Sequence, residues 1–169
     1  VIFLAPLIHP FLQGAHAGWQ LSKWLTQPVE RPLTLVNSTA KNAFFAVCLF
    51  SPSGEAADTV STGWVMVGPR TRETVSVPVP RVGSRWVALH GRSRKGVRTW
   101  GGGSGNEKRN FDVVLPSSGG KLADDARFTV VGPVSNSPEL LMNQNGVTRL
   151  VTVSGSLFKL QTSFTYTIE

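Results

Sequence analysis

Acid–base chemistry in this chain would rest on His90, because the other two histidines, His9 and His16, fall within the first seventeen residues. A general base needs a group to orient it and a nucleophile in reach. His90 is followed instead by Arg92 and Arg94, and no Gly-x-Ser-x-Gly elbow or comparable nucleophile motif occurs. It reads as a strand histidine. Cys48 is the one cysteine and sits inside the apolar run Phe44–Phe50. A thiol in such surroundings has a raised pKa and is inert. Were it exposed in an oxidising compartment, it could pair with another chain. A single cysteine excludes a disulfide scaffold and a multi-cysteine zinc site. Asp124-Asp125 is the one adjacent acidic pair, flanked by Lys121 and Arg127. It lacks the oxygen ligands and spacing of a calcium loop and reads as a solvated turn. Trp100–Asn106 is rich in glycine but lacks the Gly-Lys-Ser/Thr ending of a phosphate loop. Its backbone can approach a ligand closely. The expectation is a protein without enzymatic activity, cofactor or metal.

Charge is the stronger signal. The formal net charge is +7. It resides in one window: Arg81, Arg85, Arg92, Arg94, Lys95, Arg98, Lys108 and Arg109, opposed by Glu107 alone. Outside the window basic and acidic residues balance. Arg92–Gly96 is expected to form a hairpin tip, with Trp100 and the glycine loop beside it. Cations interleaved with Trp and Gly suit an anionic partner such as an envelope polymer, lipid headgroups or nucleic acid. A sequence-reading nucleic-acid module would show stacking aromatics in a recognisable motif, and Trp86 with Trp100 does not make one. The bland alternative is a basic tip that keeps the domain soluble. Trp64 and Trp86 lie in strand patterns and read as core. Trp19, Trp24 and Trp100 are the candidates for aromatic contact with a partner.

The elements that must hold these residues read as strands. The chain has 169 residues with 41% hydrophobic and 16% charged, enough for one domain and too apolar for disorder. Gly and Pro, 17 and 11 of them, interrupt any long helix. After Pro28 the apolar period is two. Leu33–Val36, Phe44–Phe50, Thr59–Val67, Thr74–Val79, Ser84–His90, Phe111–Leu115 and Arg127–Val131 are expected strands. Phe44–Phe50 is apolar on both parities, as in a central strand covered on both faces. Pro78 and Pro80 put Thr74–Val79 at a sheet edge. Val147–Val153 and Leu157–Ile168 flank Ser154-Gly155-Ser156, which reads as a hairpin. Phe158, Leu160, Phe164, Tyr166 and Ile168 then share one face of a long strand. The expected fold is all-β, an antiparallel sandwich or barrel of about 8–9 short strands.

Leu35-Val36-Asn37, Ala43–Val47, Thr62-Gly63-Trp64, Val67-Gly68-Pro69, Trp86-Val87-Ala88, Trp100-Gly101 and Phe128-Thr129-Val130 form an ordered series. Over Leu35–Val131 it resembles the bacterial family catalogued as domain of unknown function 1036. The resemblance implies an exported, β-rich accessory domain and carries over no catalytic residue. This chain departs from the family in keeping only Cys48 and in its C-terminal stretch beyond Asn143.

Val1–Leu12 is almost wholly apolar and is followed by Ala15-His16-Ala17. That is the pattern of a secretory signal peptide with cleavage after Ala17. No basic n-region or Met precedes Val1, so the natural start is expected upstream. The alternatives are a membrane anchor, for which twelve residues are short, and a strand built into the fold. Residues 18–30 form an extension in which Leu21, Trp24 and Leu25 have helical spacing, and 31–169 form a single β domain. The resulting expectation is a secreted or periplasmic, non-enzymatic binding or structural module of the envelope. Its basic loops would face an anionic polymer or lipid headgroup, with nucleic acid disfavoured by export. The alternative is a subunit of a homo-oligomeric or filamentous assembly, built by strand exchange.

Overall fold

The computed structural model describes residues 28–50, 59–83, 85–101, 107–117, 120–131, 141–142 and 146–169. The signal-peptide, helical-extension, Trp19 and Trp24 expectations lie outside these residues, as do Gly102–Asn106. The described residues are all-β. The strands are β1 (Val29–Asn37), β2 (Ala43–Phe50), β3 (Thr59–Val67), β4 (Thr71–Val79), β5 (Trp86–Ser93), β6 (Thr99–Trp100), β7 (Lys108–Pro116), β8 (Arg127–Val131), β9 (Leu141–Met142), β10 (Thr148–Lys159) and β11 (Phe164–Ile168). Val29 and Glu30, expected in the extension, belong to β1 and pair with Val79 and Pro78.

A small sheet runs β11-β1-β4 and a large one runs β7-β10-β5-β2-β3-β8-β9, with β6 added beside β5. The period-two pattern decides what each strand covers. In β2 every residue is buried. Ala43, Phe45, Val47 and Leu49 face the small sheet, where they meet Leu33, Leu35, Val75, Val77 and Ile168. Phe44, Ala46, Cys48 and Phe50 face the inside of the curled large sheet, with Ala88, Phe111, Val113, Leu122 and Phe128. The doubly apolar run therefore marks a strand shared by two cores. β4 is an edge strand, as its prolines require.

Two expectations need correction. Ser154-Gly155-Ser156 is not a turn, for β10 runs through it unbroken while pairing with Asn110, Arg109 and Lys108 of β7. Glycine is needed there for contact, since a Cβ on Gly155 would lie 2.6 Å from the Phe111 ring and 3.1 Å from the Leu89 backbone. The chain breaks instead after Lys159 and enters β11, which pairs with β1 in parallel. Phe158 and Leu160 therefore lie outside the strand that carries Phe164, Tyr166 and Ile168. All five still pack into the core between the sheets.

The curl of the large sheet turns on Trp64. Phe45 pairs with Val65 and Ala46 pairs with Gly63, so Trp64 is the extra residue of a β-bulge. Its main-chain N–H donates to Ala126 O at 3.2 Å. Its indole Nε1–H donates across the interior to Val114 O of β7 at 3.1 Å. The ring packs on Phe128 with centroids 5.5 Å apart. Burying an indole is worth about 4–6 kcal/mol at roughly 25 cal/mol per Å2, whereas each hydrogen bond adds about 1 kcal/mol. Burial holds Trp64 inside, and the hydrogen bonds set which strands it joins. Gly63 beside it has no room for a side chain, because a Cβ would lie 2.9 Å from the Phe128 ring and 3.1 Å from Ala46. Gly63→Ala is expected to destabilise the fold by about 1–3 kcal/mol through overpacking, read from urea unfolding.

Candidate anion-binding site

One end of the sandwich gathers three loops. Asn37, fully buried at the end of β1, organises two of them. Its Nδ2 group donates to Lys41 O at 2.7 Å and to Val67 O and Gly68 O at 3.0 Å each. Its Oδ1 accepts from Thr39 N at 2.9 Å and Thr39 Oγ1 at 2.7 Å, an Asx turn. The loop after β1 and the turn after β3 are thereby tied to one side chain. Arg70 N donates to Thr39 O at 3.1 Å and locks them together. The third loop is the β5–β6 turn, shaped by Ser93. Ser93 N donates to Arg98 O at 2.9 Å, and Ser93 Oγ accepts from Arg98 N at 3.0 Å.

Between the three loops lies an open cleft of ≈ 590 Å3, lined by Ala40, Lys41, Asn42, Pro69, Ser93, Arg94, Lys95 and Val97. That volume is in the range of small-ligand sites. Lys41 and Lys95 are exposed, and Val97 is 90% exposed on its rim. Arg70 and Arg72 continue the positive charge where β4 begins, and both are exposed. Sequence reasoning missed Lys41, Arg70, Arg72 and Asn37. They lie outside the dense basic window and come together through the pairing of β1 with β4 and of β2 with β3.

The eight cations of the window do not form one patch. Arg85 and Arg94 sit at opposite ends of β5, about 30 Å apart at ~3.3 Å per residue. Arg85 donates to Pro80 O at 2.9 Å, Arg81 O at 2.8 Å and Gln161 O at 3.2 Å, so it closes the far end of the sandwich. Arg81 is exposed there. Lys108 is exposed at the start of β7, and Arg109 lies over the Phe50 ring at 5.1 Å. Arg98 bonds to the main-chain oxygen of Glu169 and covers Trp100 at 5.1 Å. Trp100 is half-buried against the core between the sheets and donates to the same oxygen at 3.3 Å, so it is no free platform.

Arg92 and Arg94 correct the expectation of a solvated tip. Arg94 donates to Leu122 O at 2.8 Å, pairs with Asp124 and lies 5.1 Å over Phe44. Arg92 is 4% exposed, because its side chain leaves β5 on the inner face of the large sheet. It donates to Gly120 O at 2.7 Å. Together the two arginines fasten residues 120–124 over the mouth of the curled sheet. Of the expected binders at this end, Lys95 is exposed, and Lys41 joins it.

His90 is buried on the same face as Arg92, edge-on to Trp64 with centroids 6.4 Å apart. Its Nδ1 bonds Ser154 O at 2.9 Å, at the point where β5 parts from β10. Burial lowers its pKa, the bond to Ser154 partly opposes this, and Arg92 adds to the lowering. Cys48 is buried and its thiol is pushed up to about 12, chiefly by burial, so it is inert and closed to pairing with another chain.

Protein-family models, curated proteins and solved structures offer no match to this chain.

The histidine has a measurable consequence. The unfolded chain takes up the His90 proton near pH 6.5, whereas the folded chain resists until lower pH. The unfolded state therefore binds more protons in that interval, and stability is full above it and falls as pH drops through it. Denaturation at pH 7 and pH 5.5 is expected to show this loss. His90→Gln should flatten the difference.

Proposed function

We propose that this chain is a non-catalytic binding module that meets an anionic polymer through the basic end of the sandwich. The observation that carries the reading is the cleft in which Lys41 and Lys95, from two loops far apart in sequence, stand exposed beside Ser93 and Asn42. Arg70, Arg72 and Arg98 extend the positive field around it. The loops are held by buried or internal hydrogen bonds, so a partner would meet a largely preformed surface with little ordering to do.

Export sets which polymer is within reach. The apolar Val1–Leu12 followed by Ala15-His16-Ala17 supports secretion, and with it an acidic envelope polymer as the natural partner. Expressed with its natural start, the chain is expected to be cleaved after Ala17, as read from the intact mass of the periplasmic or secreted product. An uncleaved cytosolic product would remove the envelope assignment.

Duplex DNA serves as a convenient test polymer for the charge-driven part. Each phosphate neutralised contributes a slope of about −0.9 in the logarithm of affinity against that of salt. Lys41, Arg70 and Lys95 acting together predict a slope near −3, by the same rule of about one unit per contact. Lys41→Ser with Lys95→Ser should flatten it by about two units. Arg81→Ser, at the far end, should leave it unchanged. Affinity that ignores salt and the double substitution refutes the reading.

A second reading, assembly of copies, is supported by one feature. Among the described residues β11 has no neighbour on the side away from β1, which leaves its outer edge open to an added strand. Elution of the chain as a multimer, with salt-independent polymer binding, would favour it.

A further inference from the structure

Arg92 lies outside the surface cleft, and its packing raises a separate question. Its side chain and that of Ser93 leave β5 on opposite faces, and only Ser93 lines the cleft. Of the Arg92 nitrogens, Nη2 donates to Gly120 O at 2.7 Å and to Arg94 O at 3.3 Å. Nη1 is equally buried and has no acceptor among the described residues. The guanidinium carbon stands 5.8 Å from the centre of the Trp64 ring. The indole face offsets part of the desolvation of the cation but supplies no acceptor.

Among the described residues no carboxylate pairs with this charge. Asp124, the acidic side chain paired at this mouth, is bound to Arg94. On the strands alongside, Arg92 is opposite Phe44 of β2 and Thr99 of β6. Burial pushes the Arg92 pKa down to about 10 with no carboxylate acting against it, and the group is still charged at neutral pH. A buried ion without a counter-charge is costly. What covers it is closely packed backbone, that of Gly96 and Gly120, both at positive φ. A Cβ on Gly96 would lie 2.5 Å from Nη2, and one on Gly120 would lie 3.5 Å from it. Lys121, exposed beside Gly120, adds positive charge at the rim.

We propose that Arg92 is the floor of a second anion site, roofed by the β5–β6 turn and residues 120–122, which takes a compact oxyanion group on Nη1. Sulfate, phosphate and a carboxylate share the required chemistry: a small group whose oxygens accept charge-assisted hydrogen bonds from a fixed guanidinium. Nη1 is fully buried and the Gly96 backbone rests against the guanidinium, so such a group seats only as the β5–β6 turn lifts off the cation. This site goes beyond the polymer cleft and does not depend on it.

The test is a titration of sulfate into the full chain at constant ionic strength, with chloride as the balancing anion. Sulfate is expected to raise the melting temperature along a saturating curve, as a ligand of the folded state does. Arg92→Met keeps the bulk of the stem, removes the charge and should lose the curve. Arg92→Lys keeps the charge without the planar fork and should retain the curve with an affinity about tenfold weaker. Lys41→Ser with Lys95→Ser should keep it intact, which separates this site from the surface cleft. A response that follows ionic strength alone, or a curve that survives in Arg92→Met, overturns the proposal. Should Arg92→Met fail to fold, wild-type crystals soaked in selenate decide the matter. Anomalous density against Nη1 supports the site, and selenate found only elsewhere or nowhere overturns it.

Discussion

The indole of Trp64 is the contact on which the arrangement of this molecule depends. A bulge turns it into the hollow of the large sheet, where the indole N–H reaches Val114 while the main-chain N–H of Trp64 reaches Ala126. Strands that are neighbours neither in sequence nor in the ladder are thereby joined across the interior. Phe44, Cys48 and Phe128 then have a closed apolar space to fill. The same ring receives the Arg92 cation on one side and the His90 edge on another. Without the curl, every second residue of β2 would face water.

That dependence explains which parts of the fold could be read in advance. Strands whose pattern is set by their own neighbours were legible, β2, β4 and β8 among them. The prolines placed β4 at an edge for a reason that needs no tertiary knowledge. The C-terminal region was misread because glycine has two uses. In Ser154-Gly155-Ser156 it admits Phe111 and the Leu89 backbone at close range, yet short flanking runs make the same letters look like a turn. The true break, near Gln161 and Thr162, carries neither Gly nor Pro. The parallel partnership of β11 with β1 left no local mark, because it joins residues about 130 positions apart.

The candidate site was legible as charge and illegible as geometry. Counting cations along the chain found a dense window, but strand alternation sends Arg92 inward and backbone carbonyls claim Arg85 and Arg94. Lys41, Arg70 and Arg72 carry no local excess and gain their meaning from Asn37, which draws their loops to one place. Asn37 was visible as part of a short motif, though nothing in its sequence neighbourhood announces that its amide joins Thr39, Lys41, Val67 and Gly68.

The pairing of β1 with β11 also fixes an order of assembly. β2, β3 and β5 can pair with one another before the C-terminal strands join, since their partners are close in sequence. The small sheet cannot be completed until Phe164–Ile168 has been made, because that strand supplies one of its three members. The apolar side of β1 and β4 must wait for β11 before its sheet is whole. Loop closure over so long a span is slow. A partly folded chain thus carries an unfinished hydrophobic face until β11 docks, and a chaperone able to shield it has a defined stretch of sequence to hold.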